Sequence, residues 1–161
     1  MFLKTWRCIT IVLELPQKML YNAQMYAAVN TTLYRYFAIV GGAYQVGSIV
    51  LAAILTFLVR QRRPSFGWTM TGACCLLLAF GIWLAVVAPV NSQVAEAVRS
   101  APESVPAVWM RLRNQWEYGH AAGFIVQLVG LCALVLSVLV ETPQRPPQEH
   151  GERERLARAR G

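Results

Sequence analysis

Three apolar runs, each long enough to cross a bilayer, leave this chain few folds to choose from. Residues 32–60, 67–90 and 108–140 each exceed the ~20 helical residues that traverse ~30 Å of hydrocarbon. In that medium backbone N–H and C=O groups must be satisfied within the protein, so spanning elements are helices or closed barrels. The runs lack strict alternation and outlast a barrel strand, which makes them helices. Residues 2–14 form a fourth, shorter run, interrupted by Lys4, Thr5 and Arg7. A secretory signal peptide starts in the same way. Here, however, Glu14-Leu15-Pro16 stands where a small-residue cleavage site would follow. The expected fold is an all-α membrane protein, a four-helix transmembrane bundle with a short first helix and a polar C-terminal tail over residues 142–161. That tail is rich in Pro, Arg and Glu and has no face on which to build a core.

Charge supports a bilayer partner. Only 14% of the residues are charged, against roughly 25% in soluble domains. The net charge of +7 collects at the ends of the apolar runs, which argues against a nucleic-acid surface. Arg60, Arg62 and Arg63 make the most basic short connection, and the positive-inside rule assigns it to the cytoplasm. Four spans then place both termini in the cytoplasm of a multi-pass protein of the cell membrane, as in a bacterial inner membrane. Cys8, Cys74, Cys75 and Cys132 lie within apolar runs without metal-ligand spacing, as small hydrophobes do. No P-loop, dinucleotide fingerprint or HExxH is present. No metal and no cofactor are expected.

The same topology brings polar residues from distant stretches to the outer side. Trp109, Arg113, Trp116 and His120 follow one another at helical spacing and share one face, with Phe124 and Gln127 continuing it inward. Glu117, four residues after Arg113, can pair with it. A stripe of this kind must face helices or water, because a charge facing lipid at depth is expensive. Bland readings stand beside the functional ones. The two tryptophans can be interfacial anchors, and Arg113 can snorkel to headgroups. His120, the one histidine outside the tail, is either a proton donor or acceptor near neutral pH or one partner in an interhelical hydrogen bond.

Pro16 suits the first turn of an outer amphipathic helix over residues 15–26. Glu14 can cap that helix or pair with Lys18 or Arg113. Pro89 can end or bend the third span. Asn91 can then cap the helix that follows, or donate a hydrogen bond to a bound oxyanion. Gly119 with Gly123, and Gly41, Gly42 and Gly47 in the second span, suit close helix packing. Asn30-Thr31-Thr32 matches an N-glycosylation acceptor, and is read as a chance match.

Glu14-Leu15-Pro16-Gln17-Lys18, the Tyr26/Tyr34 region, Pro89-Val90-Asn91 and Trp109-x-x-x-Arg113-x-x-Trp116-Glu117-Tyr118-x-His120-Ala121 together resemble a family of small four-helix membrane proteins related to fungal anthrone oxygenases. The resemblance covers nearly the whole chain except the tail, and its last motif is the most specific. The short first span departs from the family pattern. The resemblance implies oxygenation of an acidic aromatic carbon or phenol without a cofactor. His120 would accept a proton, Arg113 and Asn91 would stabilise the anion, and the carbanion would react directly with O₂. Trp109 and Trp116 would wall a pocket for a hydrophobic aromatic substrate, with Glu14, Lys18, Tyr34 and Glu117 as further contacts. The competing reading is a non-enzymatic membrane protein that binds a lipid or quinone or assists a membrane assembly, with the same polar mouth recognising a headgroup.

Overall fold

The computed structural model of the chain describes residues 13–32 and 35–142, with side chains described at all of these except 35–38. Nearly everything described is helix. Residues 13–18 are helical, and a turn leads to α1 (Ala23–Thr32), followed by α2 (Arg35–Leu58) and α3 (Arg63–Ile82). A π-helical turn at Trp83–Val87 joins α3 to α4 (Ala88–Ser100). A single 3-10 turn, Pro102–Ser104, then leads into α5 (Val105–Glu141). Among the described residues, three stretches are long and apolar enough to cross a membrane: Ile39–Leu58, Arg63–Ser100 and Pro102–Glu141. The first span expected from the sequence, residues 2–14, lies outside the described residues except at its end, as does the tail beyond Thr142.

The third span corrects one expectation. It does not stop at Pro89 but runs on to Ser100 as one 38-residue rod. Proline lacks an N–H, and its ring clashes with the carbonyl four residues back. The π-turn removes that conflict by moving the hydrogen bond to an i−5 carbonyl: Ala88 N–H donates to Trp83 O. Pro89 then sits in the opening turn of α4, where proline is tolerated. Asn91 is therefore inside a helix and caps nothing. At 1.5 Å per residue, α5 with its 37 residues is about 55 Å long. It outreaches the ~30 Å hydrocarbon layer, so the α4–α5 hairpin projects beyond the apolar layer at the Ala101 end.

The axis of the protein is the antiparallel contact of α3 with α5. Gly72 and Gly130 face each other there. A Cβ on Gly130 would stand 2.8 Å from Cys75 Cβ, and one on Gly72 would stand 2.5 Å from Leu134 Cγ. Small residues at this crossing let the backbones approach and supply dispersion contacts that lipid cannot. Below it, the Thr69 and Ser137 hydroxyls are 2.6 Å apart, both within reach of Ser65 O, in a buried polar cluster. At the far end Arg62 pairs with Glu141 at 2.8 Å, an exposed bridge that contributes at most about 1 kcal/mol. Gly119 packs closely, its Cβ position 2.9 Å from Val86 Cγ1. Gly123, Gly42 and Gly47 have nothing within 4 Å of theirs, so close packing does not explain them. Leu58, Leu77 and Ile125 are left outward, on the surface that lipid would cover.

Gly130→Ala should therefore overpack the α3–α5 crossing by roughly 1–3 kcal/mol and lower the thermal unfolding midpoint of the purified protein in detergent. Gly47→Ala, which meets open space, should leave that midpoint unchanged or raise it.

Candidate functional site

The site lies at the Ala101 end, where the first described turns fold back onto α5. The helix over residues 13–18 does not continue to Tyr26 as the sequence suggested. It ends in tight turns, with Leu20 N–H donating to Gln17 O and Tyr21 N–H to Lys18 O. The chain restarts as α1 because Asn22 Oδ1 accepts the Met25 N–H at 2.9 Å, satisfying an otherwise orphaned helix-start donor. This break turns the Lys18 side chain inward, and α1 lays Tyr26 against α5.

Three groups then meet under cover, with Glu14 at their exposed edge. Tyr26 Oη donates to Glu117 Oε1 at 2.9 Å. Lys18 Nζ is 3.7 Å from the same oxygen and 3.6 Å from Glu14 Oε2. Tyr26 and Glu117 are fully buried, Lys18 is 2% exposed and Glu14 39%, so the charges run from a sealed carboxylate to the surface. Burial pulls the Lys18 ammonium below its ordinary pKa, against the opposing pull of the Glu117 and Glu14 carboxylates. Burial, and after it the Glu117 charge, pushes the Tyr26 phenol upward. Tyr26 therefore stays protonated and remains a donor to Glu117.

Glu117 does not pair with Arg113, contrary to expectation. The carboxylate turns in to Tyr26 and Lys18, while Arg113 Nη1 donates to Tyr21 O at 3.2 Å, a carbonyl that the chain break leaves outside any helix. The guanidinium also lies 5.8 Å from the centre of the Tyr26 ring. Arg113 is thus part of the fold and does not snorkel. The tryptophans likewise are not membrane anchors, since each is 4% exposed.

An aromatic wall completes the site. Tyr26 and Trp109 meet edge to face at 5.6 Å and Trp109 and Trp116 at 5.8 Å, separations at which aromatic pairs attract. The His120 ring lies tilted against Trp116, with centroids 4.1 Å apart. Lys18 Nζ sits 5.1 Å from the Trp116 ring centre, within cation–π range. Trp116 Nε1 donates to Asn91 Oδ1 at 3.1 Å, which orients the Asn91 amide. His120 Nδ1 is 2.8 Å from Trp116 O. A carbonyl can only accept, so Nδ1 carries a proton and, in the neutral ring, Nε2 holds the lone pair.

Eight of the nine expected site residues are thereby brought to one end of the protein: Glu14, Lys18, Asn91, Trp109, Arg113, Trp116, Glu117 and His120. The ninth, Tyr34, lies outside the described residues. Tyr26 is the central residue that spacing did not single out. The available signal was Asn22, Tyr26 and Asn30 at i, i+4 intervals on one face. Asn30 is 5% exposed and its Nδ2 donates to Tyr26 O, so the formal glycosylation acceptor is sealed inside the protein. Among the described residues, Trp109 Nε1, Arg113 Nε, Glu117 Oε2 and Asn30 Oδ1 are buried without a hydrogen-bond partner. Buried polar atoms of this kind are ordinarily satisfied by ordered water. No three His, Cys, Asp or Glu residues among those described lie close enough together to hold a metal ion.

Lys18→Met should destabilise the protein by roughly 3–5 kcal/mol, because it strands a buried carboxylate. Adding Glu117→Leu should recover most of that loss. Denaturant midpoints of the single and double variants in one detergent measure both effects.

The family model described as anthrone oxygenase matches residues 35–133. The match takes in Asn91 and the whole Trp109–His120 stripe, while Glu14, Lys18 and Tyr26 precede it. No curated protein and no solved structure matches the chain. With well over half of its length aligned to that model, the chain belongs to the anthrone oxygenase family.

Proposed function

We propose that this membrane protein oxidises a hydrophobic aromatic substrate with an acidic ring carbon, using O₂ and no bound cofactor, at the boundary of the bilayer. The observation that carries the proposal is the buried tryptophan pair, which Trp116 joins both to the half-buried His120 imidazole and to the Asn91 amide that it orients, with Arg113 on the same helix. Trp116 and Trp109 stack against the rings. His120 Nε2, the ring nitrogen that holds the lone pair, accepts a proton from the substrate CH₂. Asn91, its Oδ1 taken by Trp116, turns its N–H₂ toward the developing oxyanion. Arg113 adds positive charge that is in place before reaction. The carbanion gives its electron pair to O₂ and forms a C–O bond. The His120 proton passes to the distal oxygen, and the hydroperoxide loses water with the remaining hydrogen to leave a carbonyl. One CH₂ and one O₂ thus give one C=O and one H₂O. Glu14, Lys18 and Glu117 hold the site together. By the positive-inside rule the Arg60–Arg63 connection is cytoplasmic and the site faces the opposite side.

The test is 1,8-dihydroxyanthrone supplied to the protein in nanodiscs, with oxygen uptake and quinone absorbance followed together. One O₂ should be consumed per quinone formed. His120→Gln should lower kcat on the order of 10²–10⁴-fold with folding unchanged, and full turnover in that variant would remove His120 from the mechanism. If wild-type protein consumes no oxygen but retains a copurifying lipid or quinone, the non-enzymatic binding reading takes its place.

A further inference from the structure

An apolar cleft lies further along α5, among the membrane-crossing stretches. α2 packs along α3 and scarcely touches α5, which leaves a cleft of about 450 Å³ between α2 and α5, floored by Leu76 of α3. Its walls are almost wholly hydrocarbon, with Leu51, Ala52 and Leu55 on one side and Leu131 and Val135 on the other. The two polar residues that line it make their hydrogen bonds within the protein. Ser48 Oγ donates to Tyr44 O at 2.7 Å, and Gln127 Nε2 to Gln45 Oε1 at 3.3 Å. Such a cleft offers nothing to a polar ligand.

Its shape is selective. The lining on α5 runs from Phe124 to Leu139, about 22 Å along the helix axis. The lining on α2 runs only from Ser48 to Leu55, about 10 Å, so the cleft is a trough along α5 whose volume of about 450 Å³ suits a single extended hydrocarbon chain. Its upper end adjoins the candidate site. Trp116, His120, Phe124 and Gln127 are spaced four, four and three residues apart on α5 and share a face, so the cleft opens one helical turn below His120.

We propose that this cleft is the tail site of a membrane-resident amphiphile. A single aliphatic chain lies between α2 and α5 while a hydroxylated aromatic head reaches Trp116 and His120. The head end rests on the proposed aromatic site, whereas the tail end stands on the cleft itself. The substrate class is then a long-chain phenol or aryl ketone that enters sideways from the bilayer.

The experiment uses 4-tetradecylphenol carrying a diazirine at mid-tail, with the full chain in phosphatidylcholine nanodiscs, irradiated and mapped by peptide mass spectrometry. Label should concentrate at residues 51–55 and 128–135 and fall at least fivefold with excess unlabelled 4-tetradecylphenol. Ala52→Phe should block it to a similar degree. Leu131→Phe, on the less crowded wall, does the same should the first variant fail to fold. Label spread over outward residues such as Leu77 and Ile125, or label that excess phenol does not displace, overturns the proposal and assigns the cleft to ordinary bilayer chains. Oxygen uptake with 1,8-dihydroxyanthrone alongside scattered label rejects the tail site alone. Label confined to the cleft in a protein that oxidises no anthrone rejects the oxygenation alone.

Discussion

The Glu117 carboxylate is the constraint around which this end of the protein is arranged. It is fully buried on a helix that crosses the membrane, and an isolated carboxylate in such a place is too costly to keep ionised. Partners have to come to it. Tyr26 brings a phenol O–H on α1, and Lys18 brings an ammonium on the turn before it. Because both belong to the segment that precedes α2, the carboxylate fastens that segment across α5. The break at residues 19–22 is what allows Lys18 and Tyr26 to reach the same oxygen, and it releases the Tyr21 carbonyl for Arg113. One buried charge thus accounts for the position of α1, the direction of Lys18 and the anchoring of Arg113.

A second device sets the other wall. The π-turn admits one extra residue before α4, and at 3.6 residues per turn this rotates everything beyond it by about 100°. Asn91 is thereby carried to the face that meets Trp116, whose indole N–H it accepts. Pro89 is both the reason for the π-turn and the residue that removes the helical N–H there. The amide, the tryptophan pair and His120 are held by helices on two sides, as a preorganised site requires.

Much of this was legible in the sequence, and the limits have physical causes. Hydropathy over twenty residues located the three long spans, because the bilayer imposes their length whatever the tertiary contacts. Helical spacing put Trp109, Arg113, Trp116 and His120 on one face, since that depends on a single helix. The partner of Glu117 was not legible. Spacing on α5 offers Arg113, and the choice of Tyr26 and Lys18 is settled by how distant segments dock. Pro89 read as a stop because a proline ends most helices, and only packing against α5 carries the rod on to Ser100. The restart at Ala23 depends on Asn22 as a cap, whereas the helix start that the sequence offered was Pro16. The cleft between α2 and α5 is an absence of contact, and no local pattern encodes it.

The central claim is that Tyr26 and Glu117 form one buried unit joining α1 to α5. A double-mutant cycle with Tyr26→Phe and Glu117→Gln, read as unfolding free energies in a single detergent, measures that union directly. The account predicts a coupling energy of about 1.5–3 kcal/mol, the range for a hydrogen bond to a charged group. Effects that add to within about 0.5 kcal/mol, as independent sites do, would contradict it.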